Sequence, residues 1–336
     1  MSEFVLFKQP QQSGISYWEG VFKDSINGHS LFESDTFILG EFNAGNEFIC
    51  LVPTNKQTIN IDDPLALDFE LKVPSIVQTS QKEFLAMVLN IQHAIRTDSN
   101  LNKVVLARAE LVLQKLDLLA SFYSLCKTYP NGLVYMVSSQ LYGSWIGASP
   151  EVFLSIQKNK FKTYALAGTK TSHQNWTVKE IEEQNWVTTY IENHFQELGI
   201  KYTKQPTETI QSGQLFHLKT TIEGTVQGPS VYNQIIQEMN PTPAVAGIEK
   251  QKAVALIRKE EKNKRSIYAG IVGPVFKDLS AQLYVNLRCL QAFTNAYCLY
   301  AGAGITAGSN PQDEWEETVK KMENTRRAVI SYPLQH

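Results

Sequence analysis

The chain has 336 residues, 43% of them hydrophobic, with 31 basic and 33 acidic side chains and a net charge of −2. Charges of both signs are interspersed, so no basic stripe points to nucleic acid or an anionic membrane, and no run approaches the roughly 20 apolar residues of a spanning helix. The opening "MSEFVLFKQPQQSG" lacks the features of a signal peptide, and Cys50, Cys126, Cys289 and Cys298 are far apart in apolar surroundings. The expectation is a soluble cytoplasmic protein with reduced thiols, no disulfide framework and no zinc site.

Residues 1–75 read as short β segments broken by Gly, Asn and Pro. "SQKE" at 80–83 is a capping box, and Phe84, Val88, Ile91 and Ile95 follow at helical spacing. A strand, "KVVLARAELVL" (103–113), precedes a helix that Asp117 opens and that runs to about Tyr129. Strands are predicted at "GLVYMVSS", "SWIGA", "EVFLSIQ" and "KFKTYAL", the last two forming a hairpin around Asn159. A long helix spans Val178 to Leu198, with Thr177 and Glu180 as a capping box and Gly199 as its stop. After the strand "FHLKTTIEGTV", a helix near 231–239 ends in the loop "NPTPAVAG", and another covers 248–263. Three strands follow, "IYAGIVGPVF", "AQLYVNLRCL" and "AYCLYAGAGI"; the last helix starts at the N-cap Asn310 with Pro311 in its first position. Strands come in hairpin-like sets and not in β-α-β alternation, so the class is α+β with large antiparallel sheets. A single compact unit is expected, with 1–78 a β-rich part of it and 79–336 the remainder.

Two helix starts carry paired carboxylates three residues apart, Glu180 and Glu183 in "VKEIEEQ" and Glu314 and Glu317 in "DEWEET". Read alone, each is an ordinary helix start favoured by the dipole. Facing one another, the pairs would offer four oxygen ligands, which suits a hard divalent cation such as Mg²⁺. Glu182 and Glu316 would point elsewhere. Lys103 leads the face shared by Val105, Ala107, Ala109 and Leu111; such a lysine either snorkels to solvent or is desolvated into a general base. Glu151 follows the Ser-Pro turn of "GASPE". Arg288 is expected on the polar face of its strand with Tyr284 and Asn286. Beside the glycine turn "AGAG", it would either make a cross-strand ion pair or capture a carboxylate.

Ten stretches in order, "KVVLAR", "GASPE", "LAGTK", "KEIEEQ", "HLKTTIEG", "NPTPAVAG", "YAGIVG", "VNLR", "GAGI" and "EWEETVKK", resemble the motifs of the chorismate-utilising enzymes. That family includes isochorismate, salicylate, anthranilate and aminodeoxychorismate synthases. The resemblance covers roughly residues 80–330, whereas the N-terminal part resembles nothing specific and is shorter than is usual in the family. It implies one α+β domain with two big antiparallel sheets flanked by helices.

The resemblance also implies roles. Glu183 and Glu317 match direct Mg²⁺ ligands, and Glu180 and Glu314 match carboxylates that help through water. Tyr268, Arg288, Gly302 and Gly304 match the grip on a pyruvyl carboxylate, Lys321 matches a contact to a substrate carboxylate, Gly168 and Thr169 line the pocket, and His217 lies near the substrate. Lys103 stands where ammonia-using relatives typically have Gln. A lysine there fits a base that activates water at C2 of chorismate, with Glu151 as the acid that protonates the departing C4 hydroxyl, giving isochorismate. Ala244 stands where salicylate synthases place a Thr and so favours stopping at isochorismate. Salicylate synthesis, or weak chorismate binding on the same fold, are the alternatives. Asn240 and Gln184 replace histidines usual in the family, and neither can carry a positive charge. The implied partner is the small molecule chorismate, with no nucleic acid, membrane or obligate protein partner. Isochorismate serves menaquinone or siderophore biosynthesis, and no residue here separates the two.

Overall fold

The computed structural model describes residues 3–24, 31–42, 48–170, 175–212 and 215–334; the side chains of Thr169, Lys179, Ser212 and Leu215 lie outside that description. The chain opens with β1 (Glu3–Lys8), β2 (Ile15–Asp24), β3 (Thr36–Gly40), β4 (Phe48–Ile59) and α1 (Gln81–Thr97). It continues through β5 (Lys103–Val112), β6 (Gln114–Leu116), α2 (Leu118–Thr128), β7 (Leu133–Ser139), β8 (Gly143–Ser149), β9 (Val152–Gln157) and β10 (Lys160–Lys170). Next come α3 (Val178–Glu197), β11 (Tyr202–Lys204), β12 (Glu208–Ser212), β13 (Leu215–Thr225), α4 (Pro229–Met239), β14 (Gly247–Ile248) and α5 (Lys250–Glu260). The last elements are β15 (Ile271–Phe276), β16 (Ser280–Val285), β17 (Cys289–Ala292), β18 (Tyr297–Ile305), α6 (Pro311–Arg327) and β19 (Ser331–Pro333).

Antiparallel ladders link the strands in one path: β5, β18, β17, β8, β7, β1, β2, β4, β3, β15, β16, β9, β10 and β13. The result is a 17-stranded network among the described residues, beside a two-stranded β6–β19 pair. The seam is β2–β4, whose register shifts between Glu19 and Gly20. A Cβ built on Gly20 would lie 2.1 Å from the Val52 carbonyl, so the crossing requires glycine. About this seam the two halves of the network meet. Phe37 of β3 packs 5.1 Å from Phe7 of β1 and 6.3 Å from Tyr135 of β7, inside the largest apolar cluster. The expected α+β class with big antiparallel sheets is what the chain forms, and hydrogen bonds carry one sheet into the other.

Strand alternation then assigns the helices. On β5, Val104 and Leu106 face outward to Phe84 and Ile91 of α1 and to Ala253 and Ile257 of α5, whereas Ala107 and Ala109 face the inner cluster. On the outer face of β1 and β7, Phe4, Leu6, Val134 and Met136 pack against Leu118 and Phe122 of α2. Phe195 of α3 lies 5.0 Å from Phe161 of β10. The α1 capping box is formed by Ser80 and Glu83, and the Asn310 side chain accepts from the Gln312 and Asp313 amides at the start of α6. The β9–β10 hairpin turns through Lys158 and Asn159 as expected.

Two predicted strands are shorter than their sequences suggest. Residues 267–270 are turn, with Ala269 in the left-handed region (φ 63°), so β15 begins only at Ile271. "AQLYVNLRCL" breaks after Val285, because Arg288 is also left-handed (φ 49°) and β17 resumes at Cys289. Tyr284 and Asn286 are both buried, so the polar strand face expected for Tyr284, Asn286 and Arg288 does not exist. The helix expected over 248–263 is α5, closing at Glu260. The short strands β6, β11, β12, β14 and β19 carry no periodic pattern and were not predicted.

The free edge of β5 is closed by a buried ion pair. Arg265 donates to Glu261 through Nε at 2.9 Å and Nη2 at 2.5 Å, to the Val245 carbonyl at 2.7 Å and to the Val105 carbonyl at 2.7 Å. Glu261 accepts from the Ala107 amide at 2.8 Å. Arg265→Met should leave Glu261 charged and buried and lose about 3–5 kcal/mol of stability, measured by denaturant unfolding; a loss below about 1 kcal/mol would mean that water replaces the guanidinium at this edge.

Candidate active site

Lys103 is half-buried at the start of β5 and reaches over β18: a Cβ built on Gly304 would meet its Cε at 2.7 Å and its Nζ at 3.4 Å. A side chain at 304 would push the end of the lysine aside. Lys321, one turn beyond Glu317 on α6, donates to the Gly302 carbonyl at 2.8 Å and pairs with Glu317 at 2.7 Å. A Cβ on Gly302 would lie 3.4 Å from the Tyr268 hydroxyl. The two glycines of β18 thus bring Lys103, Tyr268 and Lys321 onto one strand.

Glu151 enters from the opposite side, between β8 and β9. Its carbonyl accepts from the Val285 amide at 2.9 Å, and Ser149 donates its hydroxyl to the Val285 carbonyl at 2.5 Å. Burial raises the Glu151 carboxyl to about 7, against the opposing charges of Lys321, Arg288 and Lys103. Desolvation therefore outweighs three cations, and the group is poised to hold a proton near neutrality. Beside it a cleft is lined by Thr163 and Leu166 of β10, Tyr190 of α3, and Pro243 and Ala244 of the "NPTPAVAG" loop. That loop is pinned where it starts, Lys250 donating to the Glu238 and Asn240 carbonyls, each at 2.8 Å, and the Asn240 side chain donating to the Glu41 carbonyl at 3.2 Å.

On the β10–β13 side, His217 hydrogen-bonds the Gly168 carbonyl at 3.1 Å. Burial lowers its pKa, the Gly168 bond opposes that, and the charges of Arg288 and Lys321 lower it further. Gly168 is left-handed (φ 66°), and a Cβ there would sit 3.2 Å from the Glu180 Cβ. Of the residues expected at the site, Glu151 and Ala244 line this cleft, His217 bonds Gly168, Lys103 lies against Gly304, Lys321 and Tyr268 lie against Gly302, and the charges of Lys321, Arg288 and Lys103 act on Glu151. The Thr169 side chain falls outside the described residues.

The four glutamates are not gathered in the same way. Among the described residues no three carboxylate, imidazole or thiol groups converge to hold a metal ion. Glu180 caps α3 through the Thr177 amide at 2.8 Å and lies 3.6 Å from Lys170, and Glu317 pairs with Lys321. Glu180 and Glu317 thus have protein cations as partners, and Glu180, Glu183, Glu314 and Glu317 do not form the facing shell that their spacing suggested. Their chemistry still suits a hard divalent ion: oxygen donors only, on two helix starts, with Glu183 and Glu314 half-buried and Glu317 exposed. Glu182 and Glu316 are exposed, and Glu316 accepts from Gln312 at 3.1 Å on the outer face.

Some residues had no functional signal in the sequence. The Arg288 guanidinium lies 5.4 Å from the centre of the Tyr129 ring, a stacking partner 159 positions away in the chain. Lys170, quoted in "LAGTK" without a role, is the neighbour of Glu180. Gln184 points into the core and donates to the Ala165 carbonyl at 3.0 Å and to Thr220 at 2.8 Å, so it serves the α3–sheet contact and not the cleft.

The raised Glu151 carboxyl has a consequence for stability. In the unfolded chain it ionises near 4.5 and in the folded chain near 7, so the folded state binds more protons across that window and stability falls as pH rises through it. Glu151→Gln stays neutral and should abolish the fall. Between about pH 4 and pH 8 the stability difference between the two proteins should move in favour of the variant by up to about 3 kcal/mol in denaturant melts. A pH-independent difference would mean that Glu151 is ionised in the folded protein as readily as in the unfolded one.

The sequence model of the family described as "Chorismate binding enzyme" matches residues 53–330. The vibriobactin-specific isochorismate synthase of Vibrio cholerae is 30% identical over 264 residues, covering 74% of this chain and 66% of the relative. Anthranilate synthase component 1 of Aeropyrum pernix is 26% identical over 271 residues, covering 75% and 61%. The present chain thus spans less than two thirds of the length of these curated relatives. Among solved structures, the menaquinone-specific isochorismate synthase MenF of Escherichia coli superposes with a TM-score of 0.81 at 19% identity, over 97% of this chain and 88% of that one, a likeness of fold. The match over residues 53–330 places the chain in the chorismate-binding enzyme family.

Proposed function

We propose that the protein is a Mg²⁺-dependent isochorismate synthase. The observation that supports this reading is that Lys103, seated against Gly304, lies within electrostatic reach of a Glu151 carboxyl that desolvation raises to about 7. Attack by ammonia needs no base, whereas attack by water does. Lys103 accepts the proton of a water that adds at C2 of chorismate, the ring double bond shifts, and Glu151 donates its proton to the C4 oxygen, which leaves as water. One water is consumed and one released, so the product is an isomer. The two groups end in exchanged protonation states and reset through solvent. Arg288, Tyr268 and the backbone at Gly302 and Gly304 hold the pyruvyl carboxylate, and Lys321 faces the ring carboxylate. Glu183 and Glu317, with Glu180 and Glu314 behind them, would hold the Mg²⁺, which supplies positive charge against the substrate carboxylate. Ala244 offers the cleft a methyl group and no hydroxyl, so isochorismate leaves without losing pyruvate.

Purified protein given chorismate and Mg²⁺ should yield isochorismate by chromatography, with little salicylate, and no anthranilate when ammonium is added. Lys103→Ala should lower kcat by about 10² or more with a smaller effect on KM. Salicylate as the dominant early product, or near-normal turnover by Lys103→Ala, would overturn the scheme. The metal assignment has its own contrast: Glu317→Gln should abolish Mg²⁺-dependent turnover while Glu316→Gln, bonded to Gln312 on the outer face, retains it. Equal damage from both would show that the helix faces are assigned wrongly.

A further inference from the structure

We propose that Asn286 is a positioning residue that holds both Tyr268 and Arg288 in place, which deepens the function proposed above and rests on it. Asn286 is fully buried, 0% exposed, two residues before Arg288 at the break between β16 and β17. Its amide donates to the Gly270 carbonyl at 2.8 Å, and its carbonyl accepts from the Ala269 amide at 2.8 Å. Its side-chain nitrogen donates to the Ile267 carbonyl at 2.9 Å, and its side-chain oxygen accepts from the Tyr135 hydroxyl at 2.8 Å. Two of these partners, Ile267 and Ala269, flank Tyr268 directly, and Gly270 follows them. The Ile267 carbonyl can only accept and the phenol can donate, so a side chain with both a donor and an acceptor is required, and the amide orientation follows.

The backbone conformations on both sides show what this amide has to hold. Ala269 and Arg288 are left-handed without being glycine, a conformation that disfavours each by about 1 kcal/mol or more and persists only where surrounding contacts impose it. Those contacts converge on Asn286. Its own backbone fixes Ala269, and the segment it starts turns through Arg288 until the Arg288 carbonyl accepts from the Ala148 amide at 3.1 Å. The Tyr268 hydroxyl and the Arg288 guanidinium belong to two different loops that one buried residue joins. Asn286 touches no substrate atom in this arrangement; it acts through the two side chains that do.

The substitution Asn286→Ala removes the side-chain bonds to the Ile267 carbonyl, which keeps the Gly270 amide at 3.1 Å, and to the Tyr135 hydroxyl, and so loosens the tie between the two loops. The grip binds the same carboxylate in ground and transition states, so KM for chorismate should rise about tenfold or more while kcat stays within about threefold. Tyr135→Phe removes one of the four contacts and should move KM the same way by less. A second readout needs no substrate. Tyr268 stacks on Tyr300 at 5.3 Å, and Tyr300 on Trp145 at 5.4 Å, so displacement of Tyr268 should change the near-ultraviolet circular dichroism of Asn286→Ala while the far-ultraviolet spectrum is retained. If wild type does not convert chorismate, the proposed function fails, and the spectral comparison still tests the placement of Tyr268. If Asn286→Ala does not fold, Tyr135→Phe carries the kinetic test. Unchanged KM and unchanged near-ultraviolet spectra, or a loss confined to kcat, would overturn the assignment.

Discussion

The buried pair of Arg265 and Glu261 is the contact on which the cleft depends. β5 needs backbone partners on both edges, and β14 pairs only with its first two residues, Lys103 and Val104. Beyond them the Val105 carbonyl is met by Arg265 and the Ala107 amide by Glu261, with Thr79 closing on the Ala109 carbonyl at 3.2 Å. Two charges out of water are expensive unless they satisfy one another and the remaining donors and acceptors. Here they do, and the guanidinium also stacks 4.1 Å from the Phe42 ring. Because Arg265 holds the Val245 carbonyl as well, the same pair ties the strand led by Lys103 to the loop carrying Ala244. The ion pair thus reinforces a junction that the Val105 amide, donating to the Ala246 carbonyl at 2.9 Å, and the β14–β5 ladder also hold.

Much of this was legible in the sequence where a local signal coincided with a structural need. Capping boxes at Ser80 and Thr177 and the N-cap Asn310 marked three helix starts, and the parity of β5 separated Val104 and Leu106 from Ala107 and Ala109. The ordered motifs identified the family, because shared chemistry constrains short stretches of chain. What failed was anything that required a residue to break its own pattern. Alternation through "LYVNLRC" put Tyr284, Asn286 and Arg288 on one polar face, whereas Tyr284 and Asn286 are buried and the left-handed Arg288 interrupts the strand. Paired glutamates at two helix starts suggested facing carboxylates, but i,i+3 spacing says nothing of how far apart two helices stand. Nor does sequence reveal that Tyr129 lies under Arg288, since stacking across elements leaves no trace in local spacing.

The arrangement of charge explains why the acid must be desolvated. An exposed glutamate beside Lys103, Arg288 and Lys321 would be driven to ionise, since each cation favours the carboxylate, and an ionised glutamate has no proton to give. Desolvation reverses that, and it is the leading influence at Glu151. Desolvation requires that the carboxyl be shut in by backbone that cannot relax away from it. The Ser149 hydroxyl on the Val285 carbonyl and the Val285 amide on the Glu151 carbonyl fix the backbone at Glu151 to the end of β16. The next residue is Asn286, so the strand end that holds the backbone at Glu151 leads directly into the turn that places Arg288. A cleft able to bind an anionic substrate and still protonate it needs cations near its acid. This chain satisfies both demands by fixing the acid and the arginine to a single interruption in one strand.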